Sequence, residues 1–227
     1  VIDNVSVSHI IYGSSPRGIS IRDTSHIINI TSSSISDVVY SPGQYQPIGG
    51  ACFYGDNSVR YLRVENVSIS GCGFEGVAYN GNSSLFSGVN VTQSVIGIFA
   101  TDYSHNNTFS DCYVHENYMV DVYPFSCDND FIDITGSGGR PILYLNGDNS
   151  SSSYSGLSLS ELVICGGSDI NISNVSVHGS DYFENNGVLI LLGSSGVRLV
   201  NVSSYDNYYG FNFIYLLSSN YLINCSS

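Results

Sequence analysis

Seven residues, CDNDFID from Cys127 to Asp133, bring three carboxylates close together: Asp128, Asp130 and Asp133. Carboxylate oxygens at such spacing could be offered to a hard cation. The opposing reading makes Asp133 an anchor of the repeat described below and the other two solvated turn acids, because no arginine lies nearby in sequence and the chain has no lysine. Other acids in turns stand singly, as in DNSV (56–59) and GDNSS (147–151), and a single carboxylate cannot serve as both acid and base. Of the five histidines, His105 and His115 fall near one another in the repeat described below and are candidates to meet in space. Two histidines without a third ligand read as surface residues. Serine is abundant, yet no G-x-S-x-G elbow, S-x-x-K pair or phosphate-cradling glycine loop is present.

Six cysteines, Cys52, Cys72, Cys112, Cys127, Cys165 and Cys225, form no C-x-x-C pair and have no histidine at metal spacing. That favours disulfides over zinc, with 15 possible pairings left open. The balance of charge points the same way, towards an exported chain. With 19 acids against six basic residues, all arginine, the formal charge is −13, which excludes nucleic acid and anionic membrane as partners. Only 11% of residues are charged, so serine, asparagine, glycine and 18 tyrosines must supply solubility, as in extracellular proteins. No apolar run approaches the roughly 20 residues needed to span a bilayer.

The elements that would position these groups follow from a repeat. The pattern apolar-x-Asn-Val-Ser recurs at IDNVS (2–6), VENVS (64–68), ISNVS (172–176) and LVNVS (199–203). Taking the Asn or Asp as anchor gives the series Asn4, Asn29, Asn66, Asn90, Asp111, Asp133, Asn174, Asn201, Asn224. Six of its eight spacings lie between 21 and 27 residues, a range typical of solenoids. The position after the anchor is apolar in nine of nine cases and the position two before it in eight of nine, Gly88 being the exception. In a flat strand those two positions face opposite sides, so both reach one core only if the backbone bends at the anchor. Asparagine tolerates the left-handed conformation that such a bend requires. Short runs such as GISI (18–21), GVAY (76–79), GIFA (97–100) and GVLI (187–190) supply the next strand of each coil.

The expected fold is therefore all-β: a parallel β-helix of about nine coils with three short strands each, forming one domain over residues 1–227. Two longer excursions, 40–50 and 136–156, interrupt it, the second reading as a protruding loop. The Asn-Val-Ser pattern, the asparagine-rich turn and the Gly-Ile-x-Ile run resemble the right-handed parallel β-helix repeats of polysaccharide lyases, carbohydrate-binding and sugar-hydrolase modules and archaeal surface proteins. For pectate-lyase-like members the resemblance implies carboxylate-held calcium and an Arg or Lys base. For polygalacturonase-like members it implies Asn-Thr-Asp, Asp-Asp, Gly-His-Gly and Arg-Ile-Lys motifs, none of which this chain has.

Eleven N-x-S/T sequons occur, seven of them at anchors. If anchor side chains turn inward they cannot carry sugar, which leaves Asn82, Asn106 and Asn149 as the preferred N-glycan sites. Neither end of the sequence carries a polar cap, so copies of the chain are expected to join head to tail, with Cys225 a candidate link to a neighbour. The reading that follows is a non-enzymatic structural protein of the cell envelope, a sheath or surface-layer block outside the cell. Its rival is a carbohydrate-binding or polysaccharide-cleaving β-helix whose Tyr182, Tyr205, Tyr208 and Tyr209 stack on sugar rings. An adhesin or tail-fibre segment is a third reading.

Overall fold

The structure, a computed structural model, describes residues 2–8, 10–11, 16–22, 27–39, 50–182, 184–215 and 219–227. Positions 40–49 of the first expected excursion, and His9 and His26, lie outside the described residues. The chain is an all-β parallel solenoid of about seven turns, fewer than the nine that the anchors suggested. Two stacks of strands build it, and the break between them was not foreseen.

Three sheets enclose the first stack. Sheet one holds Ile2–Asp3, Ile28–Thr31, Leu62–Glu65, Leu85–Ser87, Thr108–Ser110 and Asp130–Ile132; sheet two holds Ser6–Val7, Ser34–Ser36, Ser68–Ser70, Asn90–Thr92 and Tyr113–His115. Sheet three holds Arg17–Ile21, Ala51–Gly55, Glu75–Tyr79, Ile96–Ala100 and Val120–Pro124. Each strand pairs in parallel with the equivalent strand one coil away. Strict alternation turns Leu62, Val64, Phe86 and Phe109 inward and Arg63, Leu85 and Thr108 outward. The inward rings form a column: Phe53 against Phe86 at 5.8 Å, then Phe86, Phe109 and Phe131 at steps of 4.7 Å. Each such pair adds about 1 kcal/mol beyond its area burial.

The bend between sheets one and two is where the anchors were placed. Asn4, Asn66, Asp111 and Asp133 are left-handed there, each with φ of 53°, as are Asn174, Asn201 and Asn224 at 52°. Asn29 and Asn90 are not corners, which corrects the series at two positions. Ile30 pairs with Val64, so the corner over Asn66 is Ser32, and Asn90 pairs with Ser68, so the corner on its other side is Gly88. Gly88, the one residue that broke the apolar rule, marked that misregister. The corner side chains also face solvent rather than the core, so burial does not bar the sequons at Asn4, Asn66, Asn174, Asn201 and Asn224 from carrying sugar. The buried asparagine ladder runs elsewhere: Asn107 Nδ2 donates to Asn129 Oδ1 at 2.9 Å, and the Oδ1 atoms of Asn107 and Asn129 accept the Ser84 and Asn107 amides.

After Asp133 the winding stops. Thr135 pairs in parallel with Tyr113 but antiparallel with Pro141, because the chain doubles back through Gly138 and Gly139, both at positive φ. The expected loop at 136–156 is instead the start of a second stack. Sheet four holds Ile142–Leu145, Glu161–Cys165, Gly187–Leu191 and Tyr209–Ile214; sheet five holds Ser153–Ser155, Asn171–Val177, Arg198–Ser204 and Tyr221–Ile223.

The first three strands of sheet four are buried on both faces, while Tyr209–Ile214 is half-buried. Tyr144, Val163, Cys165, Leu189 and Leu191 join the core of the first stack, while Leu145, Leu162, Ile164, Val188 and Ile190 join a separate core with sheet five. Tyr144 meets Phe131 at 4.8 Å and so closes the aromatic column. Two disulfides form, Cys52–Cys72 within the first stack and Cys127–Cys165 across the junction. Cys112 is free and buried, its thiol pushed up to about 11 by that burial. Cys225 is free and half-buried against the second core, where its thiol faces the Leu199 carbonyl at 3.5 Å.

Candidate functional site: a trough across sheet one

The outward residues of sheet one stand in line because the register is unbroken. Asn29 pairs with Arg63, Arg63 with Leu85, Leu85 with Thr108 and Thr108 with Asp130. This row floors a shallow trough. One part, about 660 Å³, is lined by Asn29, Arg63, Leu85, Asn106 and Thr108, with Tyr61 on its rim. The other, about 350 Å³, is lined by Asn106, Asp128, Asp130, Asn146 and Asp148. Asn106 belongs to both, so the two depressions meet at that residue. Strands stack at about 4.8 Å, so the five-residue row extends about 19 Å along the solenoid axis.

The two ends differ in chemistry. At one, Tyr61 is 56% exposed and Ile27 is 76% exposed, and the Arg63 guanidinium bonds Glu65 at 2.8 Å. Tyr61 is held outward by its own left-handed corner, φ 59°. At the other end Asp128, Asp130 and Asp148 gather. His105 Nδ1 lies 3.0 Å from Asp128 Oδ2, with Ser126 Oγ at 3.3 Å from the same nitrogen. Asn146 Nδ2 donates to Asp130 at 3.4 Å, and Asn146 is fixed by exchanging bonds with Asn149 and Asp148 across a short 3-10 turn. The Cys127–Cys165 disulfide and the Tyr144 hydroxyl, which donates to the Cys127 carbonyl at 3.3 Å, pin the pocket from beneath. Burial, with Asp130 and Asp128 nearby, raises the Tyr144 phenol, so it stays a neutral donor.

Of the expected calcium ligands, Asp128 and Asp130 line the acidic pocket, but Asp133 stands at a solvent-facing corner and is not among its walls. Among the described residues no group of three or more His, Cys, Asp or Glu side chains is arranged to hold a metal ion. His105 and His115 do not meet: His105 pairs with Asp128, and His115 stacks on Tyr113 at 4.0 Å on sheet two. The tyrosines expected to stack on sugar lie on the second stack. Tyr205 packs on His178 at 4.8 Å and Tyr208 on Tyr209 at 4.8 Å, none of them in the trough. Among the preferred glycan sites, Asn106 is exposed at the centre of the trough, Asn82 is half-buried with its Oδ1 accepting the His105 amide at 3.1 Å, and Asn149 is half-buried in the 3-10 turn. Tyr61 and Arg63 escaped sequence reading and Asp148 was read as a lone turn acid, though the inward apolar positions of the coils would have located Arg63 in the outward row.

No protein-family model matches the chain, and no curated protein matches it. Two solved structures do. One is pectate lyase Pel9A, with a TM-score of 0.47 and 14% identity, covering 98% of this chain and 68% of the other. The second is the catalytic domain of an alpha-1,3-glucanase in complex with tetrasaccharides, with a TM-score of 0.41 and 14% identity, covering 97% of this chain and 63% of the other. Both are enzymes, contrary to the expectation of a non-enzymatic protein. At this identity the likeness extends to the fold alone. The chain is a parallel β-solenoid of the kind seen in a pectate lyase and a glucanase.

Proposed function

We propose that the chain is an exported, carbohydrate-active β-helix that holds an extended polysaccharide along the trough of sheet one and transfers a proton at its acidic end. The observation that carries this reading is the continuity of the trough, five aligned residues leading from an exposed tyrosine to a carboxylate pocket through Asn106. A linear polymer is the ligand whose shape matches such a row. Tyr61 offers a ring face to a sugar, Asn106 and Asn146 offer amides, and Asp128, Asp130 and Asp148 accept bonds from hydroxyls. Asp128 orients His105 through Nδ1, which leaves Nε2 to take or give a proton. Three carboxylates in the walls and a net charge of −13 favour an uncharged glycan over a polyanionic one. Export is supported by the two disulfides, which persist in oxidising compartments.

Pull-down on immobilised neutral and acidic polysaccharides tests the reading, together with release of reducing ends. Tyr61→Ala and Asp130→Asn stand at opposite ends of the trough, and each should weaken binding about tenfold, equivalent to about 1.4 kcal/mol. Asp128→Asn should abolish cleavage while retaining most binding. Retention of full affinity by either end variant would show that the trough does not act as one site.

A further inference from the structure

The junction between the two stacks buries two carboxylates that the trough does not use. Asp121, on the last strand of sheet three, and Glu161, on sheet four, are both 0% exposed. Asp121 is richly bonded. Its Oδ2 accepts from Asn186 Nδ2 at 2.7 Å, from the Ser137 hydroxyl at 2.8 Å and from the Ser137 amide at 2.9 Å, while its Oδ1 accepts from Asn117 Nδ2 at 3.0 Å. Glu161 has far less. Its Oε2 accepts the Val122 amide at 3.0 Å, and its Oε1 is buried with no hydrogen-bond partner.

Burial raises the Asp121 carboxyl, but six hydrogen bonds from Asn117, Ser137, Ser160 and Asn186 stand in for water and oppose that rise, so that group can keep its charge. One bond to Glu161 is not enough. A second negative charge there would have no counter-ion among the described residues and would be repelled by the first. We propose that Glu161 sits in the junction as the neutral carboxylic acid and acts as a proton-operated latch: the two stacks stay docked while it holds its proton and loosen when it loses it. The step breaks the Glu161 O–H bond and delivers the proton to solvent. The departing proton leaves a carboxylate facing Asp121, and relief comes from admitting water along the outer edge of Val120–Pro124.

The surroundings give the charge no other outlet. Asp121 is the charged group that bears on Glu161 from sheet three, where Tyr123 is half-buried; Tyr144 is the ionisable side chain on Ile142–Leu145; and Gly187–Leu191 carries none. Ser137, Ser160 and Asn186 are neutral. His115 and Glu116 stand on the Asp121 side. Arg140, the cation nearest in sequence, is engaged by the His178 and Gly179 carbonyls and by Asp181. Burial first, and then Asp121, raise Glu161 well above 4.5. Because the folded value exceeds the unfolded one, docking is strongest at or below about 4.5 and is lost as pH rises towards the raised value.

Amide exchange of the segment around Val122, corrected for intrinsic base catalysis, tests this between about pH 5 and about pH 9. The junction should open about tenfold more for each unit of pH within the window where Glu161 is protonated only when docked. In Glu161→Gln, a neutral mimic, that slope should vanish. A flat profile in the parent chain, or the same slope in the variant, overturns the proposal. Infrared spectroscopy of the parent chain gives an independent reading should the variant not fold. A carboxylic acid band distinct from that of Glu75, which burial pushes up to about 7, should titrate over the same pH range in which the amides around Val122 open, and a mismatch between the two ranges would equally sink the latch.

Discussion

The two stacks solve one problem with different side chains. In the first, three short strands per coil surround a column of Phe53, Phe86, Phe109 and Phe131. In the second, the strands before and after the corner fuse into seven-residue runs, Asn171–Val177 and Arg198–Ser204, around an aliphatic core of Leu159, Leu162, Ile164, Ile172, Val188, Ile190 and Leu199. Yet the corner is the same, Asn66 at φ 53° in one and Asn201 at 52° in the other. The bend therefore belongs to the repeat, and the filling is free to vary. Large flat rings fill a three-sided tube, whereas branched aliphatics suffice between two sheets.

The difference predicts where truncation hurts most. Phe109 touches two rings of the column, so Phe109→Ala should remove about 3–5 kcal/mol, among the largest effects of any single change. Ile172→Val in the second core trims one methylene and should cost about 1 kcal/mol. Chemical denaturation of both variants compares the two cores directly. A loss at Phe109 no greater than that at Ile172 would mean the column is loosely packed.

A smaller effect belongs to the junction. Cys127–Cys165 closes 38 residues and ties the acidic pocket to sheet four, whereas Cys52–Cys72 closes 20 within one stack. Loop-closure entropy grows slowly with length, so each bond is worth about 3–4 kcal/mol before strain, with only a few tenths separating them. Their consequences should differ more than their energies. Removing Cys127–Cys165 as a double serine variant should also loosen polysaccharide binding at the Asp128 end, while removing Cys52–Cys72 should leave binding intact. Equal losses of binding would place the pocket's support elsewhere.

Much of the first stack was legible because the apolar positions flanking each corner are dictated by one core. The register of sheet one then follows, and with it the outward row of Arg63, Leu85, Thr108 and Asp130. The break was not legible. Gly136 to Pro141 read as a loop because glycine and proline mark both a protrusion and a reversal of direction, and local sequence does not separate the two. The junction acids were missed for a related reason. Asp121 and Glu161 lie 40 residues apart on strands that otherwise look apolar, and only the packing of sheet four on the first core brings them under the same roof. Two of the trough's three carboxylates, Asp128 and Asp130, were visible. Asp148 joined them by virtue of the turn that follows the break.

The smallest predicted effect decides whether the corner is what unites the stacks. At Asn66 and Asn201 an alanine must adopt a left-handed backbone that its Cβ resists, so each Asn→Ala change should cost about 1 kcal/mol. Asn→Gly at the same places should be close to neutral, since glycine meets that conformation freely but adds backbone entropy to the unfolded chain. Asn90 is the control. It shares the sequence signature yet lies in an extended strand opposite Ser68. There alanine should be tolerated better than glycine, reversing the order found at Asn66 and Asn201, because a strand gains nothing from glycine and its buried Oδ1 has no partner to lose. Denaturation midpoints of the six variants test that reversal. If Asn90 behaved like Asn66, the register placing Gly88 at the corner would be wrong, and the outward row that defines the trough would shift with it.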